Sequence, residues 1–212
     1  KEFKIYEYPP KLMLVNGKTG DPIPKDKPAT IVVDSTFKTG ELQGWRIKLN
    51  KCIDEAAPLM TRDTTNYLPW HSSGAVTAIN ITATSPDGKV KKTGWVTCGS
   101  YHFPYQVLSL DGKISVAMPE REPQRYLSRV ELMTEAGLHA FADIEVNRPL
   151  SVEGWKIYQL SYDTSMGRWS ETSVLELVRD PWLPFVYVGL GMMMLGAVFM
   201  FLSLQRRKET KE

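Results

Sequence analysis

Residues 75–84 read AVTAINITAT, and the pair Asp87-Gly88 separates them from a second β-rich run, VKKTGWVTC, at 90–98. Alternating β-branched residues favour a strand, and an Asp-Gly pair between two such runs is typical of a hairpin turn. The same arrangement recurs twice, at 107–110 with 114–118 and at 126–133 with 138–146. Three hairpins at short spacing predict a mainly β domain, built as an antiparallel β-sandwich or an open barrel.

The segments around these hairpins have weaker patterns. Residues 1–30 are rich in proline and charge, so we interpret them as an extended entry segment with one short strand at 12–15. Residues 29–35 are β-branched, and residues 156–162 and 173–178 predict the last strands. Residues 52–71 show no clean period and are interpreted as a loop with room for a short helix. The β-rich domain is therefore expected to occupy residues 31–181.

The C-terminal part has a different composition, since residues 183–204 contain no charged side chain. As a helix this run rises about 33 Å, enough to cross a hydrocarbon layer of about 30 Å. We therefore predict a transmembrane helix over 182–204, with Trp182 and Tyr187 at its outer boundary.

The tail, 205–212, carries four basic and two acidic residues. The positive-inside rule then predicts a cytoplasmic C-terminus, with residues 1–181 outside the cytoplasmic (inner) membrane. Since an external domain must cross the membrane and the chain begins at Lys1, we expect a signal peptide or earlier transmembrane helices upstream.

Composition and motifs argue against several functional classes. The 26 basic and 24 acidic residues leave a net charge of +2, too balanced for a protein that binds nucleic acid through a basic surface. The three histidines lack metal-ligand spacing, and neither a G-x-S-x-G motif nor a glycine-rich phosphate loop occurs. We therefore predict no metal site and name no catalytic residue.

Two groups of residues leave alternatives open. His102 lies in the aromatic stretch YHFPY, so it is either a ligand for haem iron or a rim histidine in ordinary aromatic packing. Cys52 and Cys98 are the only cysteines. They would form a disulfide, which an external domain permits, or remain two unpaired thiols.

Two segments in order are more specific than any of these patterns. Residues 146–163 read VNRPLSVEGWKIYQLSYD, and residues 177–184 read LVRDPWLP and lead directly into the apolar run. Together they resemble the C-terminal portion of the ResB family (also called CcsB) of System II cytochrome c biogenesis. The resemblance extends over about 125–204, and residues 118–123, MPEREP, are similar to versions from Bacteroidetes.

The resemblance implies a β-rich extracytoplasmic domain followed by a last transmembrane helix. It also implies a CcsA-type multi-helix haem protein as partner, apocytochrome c as client and haem as the group that is attached. The chain would then be a scaffold or chaperone and not a catalyst on its own. Tyr158 and Tyr162, in the first quoted segment, could contact haem or a partner, or could be core and rim aromatics.

A rival interpretation comes from another class of protein. A membrane-tethered external binding module, unrelated to haem, would have the same anchor and the same β-rich composition. A neighbouring gene for a tryptophan-rich haem protein would favour the ResB interpretation over this one.

Overall fold

The computed structural model describes residues 2–62 and 64–209, with side chains as far as residue 201. About half of the chain is β-strand and 13% is helix. The side chains of the predicted basic tail, 205–212, lie outside the described residues. The strands are β1 (Glu2–Glu7), β2 (Lys11–Asn16), β3 (Thr30–Val32), β4 (Thr39–Leu42), β5 (Trp45–Met60), β6 (Thr65–Pro69), β7 (Val76–Thr84), β8 (Lys91–Thr97), β9 (Leu108–Ser109), β10 (Ile114–Ala117), β11 (Pro123–Met133), β12 (His139–Glu145), β13 (Leu150–Val152), β14 (Trp155–Tyr162) and β15 (Ser173–Val178). A 3-10 segment (Thr164–Trp169) precedes β15, and the helix α1 (Leu183–Glu209) follows it.

The strands form four sheets whose described pairings are all antiparallel. Sheet I has the order β4-β5-β7-β8, with β6 also paired to β5, and sheet II has the order β3-β2-β10-β9. Sheet III is β1-β11-β12 and sheet IV is β13-β14-β15. The predicted mainly β, antiparallel fold class is confirmed.

The larger core lies between sheets I and II. Leu12 and Leu14 from β2 meet Ile47 from β5 and Ile79 and Ile81 from β7, all essentially without solvent exposure. Strand β7 is buried along almost its whole length because it lies between β5 and β8 in the centre of sheet I. Its threonines are therefore buried as well, which hydrogen bonding permits: Thr82 and Thr93 join their hydroxyls at 2.9 Å.

A smaller core joins sheets III and IV. Val130 of β11, Ile144 of β12 and Ile157 of β14 form its centre. A hydrogen bond from the Ser128 hydroxyl to the Gln159 side chain crosses between the same two sheets. The domain therefore has two layered units, I on II and III on IV, and the later strands, β11 to β15, build most of the second.

The three predicted hairpins are confirmed as β7–β8, β9–β10 and β11–β12. The strand predicted at 12–15 is present as β2. The entry segment also contains β1, which pairs with β11 across more than 100 residues of sequence. Local pattern could not reveal this strand, because its partner is so distant in the chain.

The interpretation of 52–71 as a loop with a short helix was wrong. Most of this segment is strand: the second half of the long β5 and the whole of β6. The pairing of β5 with β7 shifts between Leu49 and Lys51 and again between Ile53 and Ala56. Each irregularity breaks the two-residue alternation of inward and outward side chains, so the sequence lost its strand period although the backbone stays extended.

Helix α1 contains the apolar stretch Leu183–Phe201, which has a mean hydropathy of 1.9. None of this stretch is buried against the rest of the protein. Within the described residues it is the one helix that is long and apolar enough to cross a membrane. Its described side chains are exposed, unlike those of a helix in the core of a soluble protein. This agrees with the predicted transmembrane helix at the level of length and composition.

Candidate functional site

The two layered units meet at four charged side chains, which we call the arginine–carboxylate cluster: Glu7, Asp54, Arg121 and Arg168. Glu7 ends β1, and Asp54 lies in β5 at its second pairing irregularity. Arg121 follows β10, and Arg168 lies in the 3-10 segment after β14. One residue of sheet I and one of sheet III thus meet two arginines from connecting segments, although all four are far apart in sequence.

Arg121 is the best-connected member of the cluster. Its Nη1 donates to Asp54 Oδ1 at 2.6 Å and to Thr77 Oγ1 at 3.0 Å. Its Nε donates to the carbonyl oxygen of Tyr8 at 2.9 Å and lies 3.3 Å from Glu7 Oε2. Only 12% of the Arg121 side chain is exposed. The guanidinium therefore connects β1, β5 and β7 through the N–H groups of its Nε and Nη1.

Arg168 approaches the same carboxylates from the other unit. Its Nη2 donates to the carbonyl oxygen of Asp54 at 2.8 Å, and its Nη1 lies 3.5 Å from Glu7 Oε2. The next residue, Trp169, donates its indole N–H to the carbonyl oxygen of Ala75 at 2.9 Å. The Arg168 guanidinium lies over the Trp169 ring, 5.0 Å from its centre. The 3-10 segment is thus fixed against sheet I by hydrogen bonds to Asp54 and Ala75 and by the ion pair with Asp54, and the cation–π contact lies within the segment itself.

The two carboxyl groups differ in their electrostatics. Burial raises the pKa of Glu7 above its ordinary value, and the charges of Arg121 and Arg168 offset only part of this effect. Burial also acts on Asp54, but Arg121, Arg168 and the hydrogen bonds outweigh it, so the pKa of Asp54 is lowered. Asp54 therefore stays ionised at lower pH than Glu7, and Glu7 accepts a proton first as the solution is acidified.

Two open clefts flank the cluster. Cleft 1, of about 270 Å³, is lined by Glu7, Arg121 and Arg168 together with Cys98, Tyr101 and Met166. Cleft 2, of about 580 Å³, shares the same three charged residues and is lined further by Tyr6 and Glu171. Both clefts have mixed polar and apolar surfaces. Three residues of the cluster, Glu7, Arg121 and Arg168, line both of them.

His102 lies on the loop between β8 and β9, beside cleft 1. Its ring is 4.7 Å from that of Phe103 and 6.5 Å from that of Trp70, and the residue is exposed. The Ser100 hydroxyl orders this loop. It donates a hydrogen bond to the carbonyl oxygen of Gly74 at 2.6 Å and accepts one from the backbone N–H of His102 at 3.1 Å. The imidazole is therefore presented to solvent among aromatic rings on an ordered loop.

The two predicted tyrosines lie elsewhere. Tyr162, at the end of β14, packs its ring against Phe3 at 5.6 Å and Tyr126 at 5.2 Å between sheets III and IV. Tyr158 is half-buried within β14 and pairs in register with Glu176. No described ring contact joins either tyrosine to His102. The structure thus places His102 next in the chain to Tyr101, which lines cleft 1, and leaves the tyrosines in sheet IV.

The arginine–carboxylate cluster is the part of this site that sequence reasoning missed. Its members lie at 7, 54, 121 and 168, and no spacing motif relates them. One of them, Arg121, lies inside the MPEREP stretch at 118–123 that attracted notice for another reason. Only the fold places a charge from each of these segments at a single junction.

The structure describes Cys52 and Cys98 as free thiols. Cys52 pairs with Ile79 on β7, and Ile79 pairs with Val96 on β8, so a whole strand separates the two cysteines. Two strand spacings put their backbones about 10 Å apart, beyond the roughly 7 Å that a disulfide allows. This register agrees with the unpaired alternative. Burial raises the pKa of both thiols, so neither is an activated thiolate.

Across the described residues, no group of three or more His, Cys, Asp or Glu side chains gathers as a metal ion would require. The positive and negative charges of the cluster balance, and each guanidinium is already paired with carboxylates. The arrangement joins segments of the two layered units through ion pairs. Chemically, it is suited to positioning a bound partner.

Comparison with known proteins adds one positive finding. A model of the ResB-like family matches residues 101–171. The matched segment, about a third of the chain, includes the loop of His102, both arginines of the cluster and the first of the two quoted stretches. No curated protein matches the chain. The segment 101–171 is therefore ResB-like, which supports an involvement in cytochrome c biogenesis at the level of the family.

Proposed function

We propose that this chain is a membrane-anchored subunit of a System II machine that attaches haem to apocytochrome c. The observation that carries the proposal is the ResB-like segment at 101–171, which includes much of cleft 1 and both arginines at its floor. The β-rich domain lies outside the cytoplasmic membrane, α1 crosses that membrane, and the basic tail is cytoplasmic. The 31–181 domain is the working part, and the anchor keeps it at the membrane surface.

The partners in this proposal are a CcsA-type membrane haem protein and apocytochrome c. Haem is the substrate that passes between them. Attachment needs haem and the apocytochrome cysteines held together, because fixing two reactants in one geometry removes most of the entropic cost of their meeting. The clefts supply such a surface on the side of this chain. The two arginines keep its floor rigid, so the chain contributes positioning and no covalent chemistry.

The first test concerns the whole function. Membrane proteins from cells with and without this gene are separated under denaturing conditions and stained for covalently bound haem. We expect the stained c-type cytochrome bands to disappear on deletion and to return with a plasmid copy, while immunoblots still detect apocytochrome. Bands that persist unchanged in the deletion strain would contradict the proposal and favour a tethered binding module unrelated to haem.

A second test concerns the contact residues. Within the proposal, His102, Tyr158 and Tyr162 contact haem or a partner, and His102 is the one with a ligand nitrogen exposed beside a cleft. The purified full chain in detergent is mixed with haem, and its Soret absorbance is recorded for wild type and for His102→Ala. We expect the variant to lose the protein-dependent part of the Soret band.

His71→Ala is the matched control for this experiment. His71 is also exposed, but it lies outside the ResB-like segment 101–171 that carries the proposal. The control should keep the wild-type Soret band. Identical spectra for His102→Ala and wild type would remove His102 from the site.

A further inference from the structure

The end of sheet IV nearest the anchor exposes an apolar edge. Trp155 is 39% exposed, Leu177 is 59% exposed and Val178 is 38% exposed. The guanidinium of Arg179 lies over the Trp155 ring, 5.6 Å from its centre. We call these four residues the juxtamembrane edge.

Strand register explains the arrangement of these side chains. Trp155, Leu177 and Arg179 share one face at the end of sheet IV, and Val178, which pairs with Lys156, lies on the other face of the same end. Lys156 pairs with Val178, so Trp155, one residue earlier, lies beside Arg179 at the end where the chain leaves β15. Ile157 pairs with Leu177, and paired residues share a face of the sheet. Ile157 is nevertheless buried, with 7% exposure, while Leu177 is open. The packing of sheet III against sheet IV therefore reaches Ile157 but not Leu177. Beyond that point, no described residue of the domain packs over the end of sheet IV.

A tight turn keeps the edge flat. Val152 pairs with Trp155, and only Glu153 and Gly154 connect β13 to β14. Both have positive φ, +48° and +81°, as a two-residue hairpin turn of the primed type requires. No long loop therefore projects beyond Trp155 to hold it away from a surface.

The length of the connection to α1 limits how far this edge can lie from the membrane. Only residues 179–182 separate the end of β15 from Leu183, where the apolar stretch begins. Five extended Cα–Cα steps cover at most about 17 Å. Trp182 is 70% exposed within this connection, and its ring lies 5.6 Å from that of Phe185 in α1. If α1 crosses a bilayer, the juxtamembrane edge must lie within about 17 Å of the hydrocarbon boundary, of which the headgroup layer itself takes about 5 to 7 Å.

We infer that the juxtamembrane edge rests on the outer lipid surface and forms a second membrane contact beside α1. The chemistry of its residues fits this occupant: an indole with an apolar body and a polar N–H, aliphatic side chains, and a guanidinium that can pair with lipid phosphate. The contact fixes the tilt of the β-rich domain, so that the clefts stay at a constant height above the membrane. The inference rests on the proposed membrane anchoring of the chain.

The test measures which tryptophans touch lipid. The full chain is reconstituted in nanodiscs of phosphatidylcholine and phosphatidylglycerol, with and without lipids brominated near the headgroup end of the acyl chain, which quench nearby indoles. The contribution of one tryptophan is the difference between wild type and its Phe variant. We expect the Trp155 contribution, from Trp155→Phe, to be quenched. The Trp70 contribution, from Trp70→Phe just after β6, should be unaffected.

Trp182→Phe separates this inference from the anchoring itself. Quenching of Trp182 without quenching of Trp155 would overturn the inference and leave the anchor intact. Absence of quenching at both positions would overturn the inference together with the membrane span on which it rests.

A second pair of variants tests whether the apolar edge makes the contact. Leu177→Glu places a charge on the edge at an exposed position, so the fold is retained while insertion among headgroups is opposed. We expect quenching of the Trp155 contribution to be lost in this background. Met60→Glu, at a position 71% exposed in sheet I, is the control and should leave the quenching unchanged. Full quenching in Leu177→Glu would also count against the inference.

Discussion

Arg121→Met is expected to lower the free energy of unfolding by about 3 kcal/mol, the lower end of the range for breaking a buried ion pair. The substitution keeps the apolar volume of the side chain but removes its charge. It leaves the carboxylate of Glu7, whose side chain is 14% exposed, with only the longer contact to Arg168. It also removes donors from Asp54 and from Thr77, which is 2% exposed. Urea unfolding of the full chain in detergent, followed by tryptophan fluorescence, measures the change.

Lys11→Met is the control for this prediction. Lys11 pairs with Glu122 at 3.1 Å, but 67% of the Glu122 side chain is exposed, and such a surface pair contributes less than about 1 kcal/mol. Arg121→Met and Lys11→Met remove the same charge. Equal losses of stability in the two variants would show that burial of the cluster does not stabilise the junction between the two units.

Gly99→Ala is expected to destabilise the protein by about 3 kcal/mol or more, because backbone strain and a steric clash act together. Gly99 has a φ of +78°, in the region that residues with a side chain rarely adopt. An added Cβ would lie 2.7 Å from the backbone nitrogen of Tyr105 and 2.9 Å from the carbonyl oxygen of Phe103. Backbone atoms cannot move aside as the end of a side chain can. The loop that carries His102 must therefore open, which hydrogen exchange over 99–106 would show as faster exchange.

Gly112→Ala separates the strain from the clash. Gly112 has a similar φ of +81°, but an added Cβ would meet nothing within 4 Å. The loss of stability in Gly112→Ala should come from the left-handed backbone conformation alone, about 1 kcal/mol. Hydrogen exchange over 99–106 should match that of wild type. A Gly99→Ala protein as stable as Gly112→Ala would refute the claim that the loop is held this closely.

Local sequence was enough for the hairpins but not for the sheets they join. An Asp-Gly or Ala-Gly turn between two β-branched runs specifies its own pairing, since the partner strand is the next one along the chain. The long strand β5 escaped recognition because two pairing irregularities interrupt its alternation. Strand β1 escaped because it pairs with β11, and no local signal specifies so distant a neighbour.

In the candidate site, too, local sequence revealed some residues and only the fold revealed others. His102 could be named from its aromatic neighbours in sequence, and the structure places it among the rings of Trp70 and Phe103. The arginine–carboxylate cluster could not be named, because an Arg or a Glu on a polar loop has no distinguishing pattern until the fold buries it. The choice between a disulfide and two unpaired thiols at Cys52 and Cys98 likewise depended on register, which places β7 between β5 and β8.

The sequence by itself determined the mainly β class, the hairpins, the apolar helix and the ResB-like segment. The first three depend on residues that are contiguous or one turn apart, so composition and period are sufficient to specify them. The last depends on a resemblance to a known family. The tertiary structure alone decided which sheets face each other, that Glu7, Asp54, Arg121 and Arg168 share one junction, and that the last row of sheet IV is left uncovered beside α1. These features arise from contacts between distant segments, whose free energy depends on burial and strand register and cannot be assigned to any one stretch of the chain.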